Sequence, residues 1–157
     1  MDRSRLSRFI MQPLDELTLA EPTFVSSSDS VRSAVTLMRE GSRSCVLARE
    51  DGRLAGIFTE RDVMTKCMAA GFDWDQPLGE FVLTRNPRTI GAKRTVGEAV
   101  ALMQQYNYRT LPVLDGARVL GLVRIGDLLT NFAEAFPEDV LNLPPRPHQV
   151  AATQEGG

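Results

Sequence analysis

The chain is 157 residues long and 43% hydrophobic, with a formal net charge of −2 and a pI near 5.5. That length suits one compact body rather than two full domains and a linker, and the near-balanced charge gives no global field for capturing nucleic acid. No apolar stretch is long enough to span a bilayer, and the opening MDRSRLSRFIMQPL lacks a signal-peptide core, so the expected location is cytoplasmic, with no membrane role.

Residues 1–19 place Leu6, Phe9, Ile10, Leu14 and Leu17 at near-helical spacing interrupted by Pro13, which predicts a helical segment over one edge of the body. A first unit, 20–70, opens with an extended piece at 23–25. The Ser/Asp cluster at 26–30 then caps a helix carrying Val31, Ala34, Val35 and Met38 and ending near Gly41. Strands at 45–48 and 54–58, joined at Glu50-Asp51-Gly52, read as a hairpin, and Thr59 opens a helix with Val63, Met64 and Cys67. A connector, 71–86, carries Trp74, Phe81 and Val82.

The pattern returns in a second unit, 87–136. Thr89 and Ile90 are extended, and Thr95-Val-Gly-Glu98 is a capping box that starts a helix through Met103. A strand at 111–114 turns at Asp115-Gly116 into a second at 119–123, and a helix over 125–136 closes the unit. Residues 137–157, rich in Pro and small polar types, read as a surface-lying tail whose Val140, Leu141 and Leu143 are available to dock on the body or on a partner.

The two units are in register. Adding 65 takes Pro22 to Pro87, Val31 to Val96, Ala34 to Ala99, Val35 to Val100, Leu37 to Leu102, Met38 to Met103, Gly56 to Gly121 and Asp62 to Asp127. Each unit reads β-α-β-β-α and is too small to bury its apolar surface alone, so the halves are expected to pack together with function in the cleft between them.

The segments GRLAGIFTERDVM and YRTLPVLDGARVLGLVRIGDLL resemble the ending of a cystathionine-β-synthase (CBS) domain, where a Gly-apolar-apolar-Ser/Thr-x-x-Asp motif joins the last strand to the last helix. The likeness covers about residues 20–136. It implies an α/β (α+β) fold of two CBS repeats packed with pseudo-twofold symmetry, plus an N-terminal helix and a C-terminal tail. It also implies a regulatory module that binds an adenosine-containing ligand between the repeats: AMP, ADP or ATP, with S-adenosylmethionine or NAD(H) as further members of the class. Such modules associate as disc-like homodimers, and this one would pass its signal to an unidentified protein partner.

In Thr59-Glu60-Arg61-Asp62, a strand ending at a helix start leaves backbone N–H groups for an anion, and Asp62 is placed to accept ribose hydroxyls. The same T-x-x-D is close to a capping box, and the two readings are compatible if the Thr59 hydroxyl caps while Asp62 faces the cleft. At the second junction Arg124 stands where Thr59 stood and cannot cap as an acceptor, while Asp127 is retained; an Arg124–Asp127 ion pair would plug or rebuild that pocket.

Carried over from the family, a first site joins Thr59, Arg61 and Asp62 with Thr89 and the backbone of Tyr108, Arg109 and Thr110. A second, weaker site joins Thr23, Arg43, Ser44 and Cys45 with Arg124 and Asp127. Arg43 and Arg109 read as counterparts able to reach phosphate. One working site is expected rather than two.

The remaining candidates have bland readings. Met38, Met64, Met68 and Met103 fit core packing, Trp74 covers the core rather than stacking on a base, and Cys45 and Cys67 form no metal or redox pattern. The lone His148 sits in the tail. With no P-loop, G-x-G-x-x-G, metal-ligand cluster or activated nucleophile, an enzyme finds no support in the sequence. The alternative to a sensor is a ligand-free module for dimerisation or partner binding.

Overall fold

The computed structural model describes residues 2–141, so the expectations for Leu143 and His148 lie outside the described residues. Helix α1 (Arg3–Ile10) is capped by Asp2 and sets Phe9 edge-on against Phe132 and Phe136. The chain breaks before Pro13 and makes a 3-10 turn at Leu14–Glu16. Strand β1 (Phe24–Ser26) leads to α2 (Val31–Glu40), capped by the Ser30 hydroxyl, which accepts the Ser33 N–H. Strands β2 (Cys45–Glu50) and β3 (Arg53–Thr59) form the hairpin, and their turn residues Asp51 and Gly52 take φ of 48° and 75°, the primed geometry that matches hairpin twist.

After β3 come α3 (Glu60–Asp62), a π-helical turn at Val63–Cys67, α4 (Leu78–Phe81) and β4 (Thr84–Arg85). The second half contains β5 (Ile90–Gly91), α5 (Val96–Tyr106), β6 (Thr110–Asp115), β7 (Arg118–Arg124) and α6 (Ile125–Ala135). The expected capping box is formed: the Thr95 hydroxyl accepts the Glu98 N–H while Glu98 accepts the Thr95 N–H. A short helix, α7 (Pro137–Leu141), occupies the start of the segment read as tail.

Among the described residues there are two sheets, ordered β1-β2-β3-β4 and β5-β6-β7. The 65-residue correspondence extends to their irregularities. Cys45 pairs with Thr59 as Thr110 pairs with Arg124, and the register slips between Ala48 and Arg49 as it does between Val113 and Leu114. Strand alternation divides the apolar residues. Val46, Ala48 and Phe58 face α2, and Leu111, Val113 and Val123 face α5 and α6. Cys45, Leu47, Ile57 and Leu122 form a third cluster joining the two halves.

The segments read as an N-terminal helix and a connector turn out to share one element. Gln12-Pro13-Leu14 and Gln76-Pro77-Leu78 make the same contacts: Gln12 and Gln76 carbonyls accept the Val96 and Val31 N–H groups, and the Leu14 and Leu78 N–H groups donate to Arg94 and Asp29. Each arm serves the opposite half. Ala20 exchanges two backbone hydrogen bonds with Leu122, and Thr84–Arg85 pairs with Ile57 and Gly56.

This crossing gives the repeated glycines their reason. A Cβ on Gly56 would lie 2.6 Å from the Leu83 side chain and 2.8 Å from the Thr84 carbonyl oxygen. One on Gly121 would lie 2.6 Å from Leu19 Cβ and 3.0 Å from the Ala20 oxygen. Backbone approaches that closely only where no side chain intervenes.

Two packing expectations divide. Met38 and Met103 are buried and Trp74 packs with Phe72 on the first core, but Met64 and Met68 are 66% and 61% exposed. A π-helical turn, Val63–Cys67, replaces the expected α-helix; Met64 lies within it and Met68 directly after it.

Candidate functional site

The β3–α3 junction faces the start of β6 across a cleft of about 380 Å³. Cys45, Ile57 and Pro112 are buried at its floor, and Arg61, Arg88, Tyr108 and Arg109 are exposed along its rim. The residues named from sequence for the first site, Thr59, Arg61, Asp62, Tyr108, Arg109 and Thr110, line this one space.

Thr89 does not. Strand β5 begins at Ile90, which turns into the second core, so the chain presents Pro87 and Arg88 to the cleft instead. Ser44 and Cys45, assigned from sequence to the weaker site, also line this cleft, because Cys45 is the antiparallel partner of Thr59. Thr23, Arg43, Arg124 and Asp127 lie outside it. The register also shows that Ser44, not Arg43, is the counterpart of Arg109, and Arg43 instead donates to the Glu21 carbonyl at 3.4 Å.

Asp62 caps its own helix. Its Oδ2 accepts the Thr59 N–H and hydroxyl, each at 2.9 Å. Its Oδ1 accepts the Thr84 hydroxyl at 3.3 Å and lies 2.7 Å from the Lys66 ammonium. Lys66 also donates to the Val82 carbonyl at 2.9 Å, tying the carboxylate to the crossing arm. Asp62 is 7% exposed and already has donors on both oxygens, so a ribose diol reaches it only by replacing Thr84 or Lys66.

The backbone anion seat expected at this junction is also largely used: the Glu60 N–H donates to the Ser44 carbonyl and the Asp62 N–H to the Thr59 hydroxyl. Of the backbone at 108–110, the Tyr108 N–H donates to Met103 and the Arg109 carbonyl accepts from Ile125. Burial pushes the Cys45 thiol up to about 11, which keeps it protonated and unreactive at neutral pH.

At the second junction Arg124 Nε and Nη2 donate to the two Asp127 oxygens at 2.6 and 2.8 Å, and the helix start has no side-chain cap. The expected ion pair is formed, and hydrogen bonding to Asp127 holds the Arg124 guanidinium above its usual pKa.

Sequence reading missed Thr84, Pro87, Arg88, Asn107 and Pro112 among the lining residues. Asn107 takes φ 55° at the end of α5 and its carbonyl accepts Arg61 Nη1 at 3.0 Å. The Arg88 guanidinium lies 3.5 Å from the Tyr106 ring centroid, and Tyr106 stacks on Tyr108 at 5.9 Å. The repeated Gln-Pro-Leu was the one sequence signal for the arm that brings Thr84 and Arg88 here. Among the described residues no helix is long and apolar enough to cross a membrane, and no group of three or more His, Cys, Asp or Glu is placed to hold a metal ion.

The family model for the CBS domain matches residues 14–69 and 78–134. The chain belongs to the CBS domain family. Both matches open at the crossing arms. The CBS domain-containing protein YhcV of Bacillus subtilis is 28% identical over 125 residues, spanning 77% of this chain and 86% of that protein. The CBS domain pair of protein MJ0100, solved with 5′-methylthioadenosine and S-adenosylmethionine, is 24% identical with a TM-score of 0.69, covering 79% of this chain and 98% of that one. The CBS domain protein PAE2072 of Pyrobaculum aerophilum, solved with AMP, is 20% identical with a TM-score of 0.68, covering 78% of this chain and 99% of that one. At these identities the two structures share the CBS-pair fold with this chain.

Proposed function

We propose that this CBS pair is a regulatory module that binds an adenosine-containing ligand of the AMP, ADP or ATP class in the cleft between its halves. The carrying observation is that cleft itself: an apolar floor of Ile57 and Pro112 beneath a rim of arginines, built from the β3–α3 junction of one half and the β6 start of the other. The MJ0100 and PAE2072 pairs, solved with adenosine-containing ligands, support the reading. Because binding shifts an equilibrium only through unequal affinity for its two states, signalling requires the halves or the assembly to rearrange on binding.

The assembly we propose is a homodimer. Met64 and Leu129, related by 65, are 66% and 62% exposed beside the 61% exposed Met68, so both closing helices offer apolar side chains to a second copy. Dimerisation and ligand binding would reach a protein partner in the cytoplasm.

A thermal-shift panel of AMP, ADP, ATP, S-adenosylmethionine and NADH tests the function. Ligand at a hundred times its Kd adds about 2.7 kcal/mol of stability. No shift with any of the five leaves the second reading, a ligand-free interaction module, which the internally satisfied Asp62 and the Arg124–Asp127 pair favour.

A further inference from the structure

We infer that the cleft selects adenosine ligands by charge, preferring those that carry phosphate over neutral or sulfonium ones, and that Arg88 and Arg109 set the preference. This rests on the adenosine reading above and narrows it.

Charges of both signs line the cleft. Its two carboxylates are Glu60 and Asp62, and Asp62 is neutralised by Lys66 at 2.7 Å. Against the remaining Glu60 stand Arg61, Arg88 and Arg109, which leaves the cleft net positive. Two backbone donors of the junction are committed within the fold, since the Glu60 N–H reaches the Ser44 carbonyl and the Asp62 N–H reaches the Thr59 hydroxyl. Recognition of an anion therefore falls largely to side chains.

The three arginines are not equally available. Arg61 is held by the Asn107 carbonyl at 3.0 Å. Arg109 has no side-chain hydrogen bond or ion pair among the described residues. Arg88 is positioned without being used up: its face rests on Tyr106, itself stacked on Tyr108 with an interplanar angle of 23°. Stacking spends the face of a guanidinium and leaves its in-plane N–H fork for two phosphate oxygens. A sulfonium group brought to the same rim would meet like charge.

Calorimetric titration of the purified chain with AMP, 5′-methylthioadenosine, S-adenosylmethionine and inorganic phosphate tests this, since the first two share adenine and ribose and carry at the 5′ position a phosphate and a neutral methylthio group respectively. AMP should bind about ten-fold more tightly than 5′-methylthioadenosine at low salt, the size expected of a few exposed ion pairs. The gap should close as salt is raised toward about 1 M, and S-adenosylmethionine should be the weakest adenosyl ligand. R88Q and R109Q should each shrink the AMP to 5′-methylthioadenosine ratio.

Equal affinity for AMP and 5′-methylthioadenosine, or a ratio unmoved in both variants, overturns the charge selection and leaves the adenosine reading standing. Inorganic phosphate binding as tightly as AMP also overturns it. Failure of all three adenosyl ligands to bind overturns the reading beneath it.

Discussion

Replacing Asp62 by Ala removes a group that the fold ties to three residues, Thr59, Thr84 and Lys66, and Asp127→Ala at the equivalent position removes one tied to Arg124. In D62A the Thr59 N–H and hydroxyl lose their acceptor and α3 loses its capping box, worth about 1 kcal/mol. Lys66 loses its counter-ion but keeps the Val82 carbonyl and the Thr84 hydroxyl. Breaking one side of a fully buried pair costs about 3–5 kcal/mol. Lys66 is 32% exposed, so water replaces part of the lost interaction and about 1–2 kcal/mol is the appropriate share. The sum is about 2–3 kcal/mol. In D127A the partner Arg124 is 43% exposed and no cap is lost, so the cost is below about 1 kcal/mol. Urea denaturation of the two variants beside the parent gives both numbers from the midpoints, provided the slopes agree. Equal losses would refute the reasoning, because they would mean that the capped, arm-tied carboxylate and the bare ion pair are energetically the same.

Gly56→Ala and Gly121→Ala should each cost about 1–3 kcal/mol, since the new methyl meets a crossing arm that cannot swing aside. Gly56→Ala should in addition weaken ligand binding, because it displaces the strand that carries Thr84; urea midpoints within 0.5 kcal/mol of the parent for both variants, on the scale of ordinary surface changes, would contradict the packing. Acid should destabilise the protein. The Glu98 carboxyl is held below its usual 4.5 by the Thr95 backbone N–H, Glu50 below 4.5 by the Ser27 hydroxyl and Arg85, and Asp75 below 3.8 by Arg32. A depressed folded-state pKa gives stability that is complete above the unfolded value and lost as pH falls through the folded one, so Tm should decline below about pH 4.5, less steeply in E98Q. The Cys45 thiol, raised from 9.0 to about 11 by burial, has the opposite sense and should erode stability as pH rises across that interval. A Tm unchanged from pH 6 to pH 3 would contradict the acid limb.

What could be read in the sequence was whatever is written locally or written twice. The Asp51-Gly52 turn, the Thr95-x-x-Glu98 box and the 65-residue register each reside in a few adjacent or repeated residues, and the structure has all three. Strand β4 did not show, because two residues are too few for a periodicity, and its place is set by Gly56, the partner of Arg85 on a strand distant in sequence. Arg88 escaped for a related reason: nothing beside it in sequence reveals that Tyr106 lies beneath its guanidinium. The family resemblance assigns Thr89 to the cleft as an opening residue of the second repeat, whereas the chain entering β5 lines it with Pro87 and Arg88. The T-x-x-D motif shows the capping of α3, which the structure has, but Lys66 and Thr84, which decide how free the Asp62 carboxylate is, come from a helix turn and an arm that no motif connects.

The two related junctions are proposed to differ in function: one opens on an adenosine-binding cleft and the other is closed by its own Arg124 and Asp127. Titration calorimetry of AMP into the full-length protein at known active concentration measures this difference directly through the stoichiometry. One site per chain is the predicted result. Two equivalent sites per chain, or no binding heat at any concentration up to about 1 mM, would contradict it.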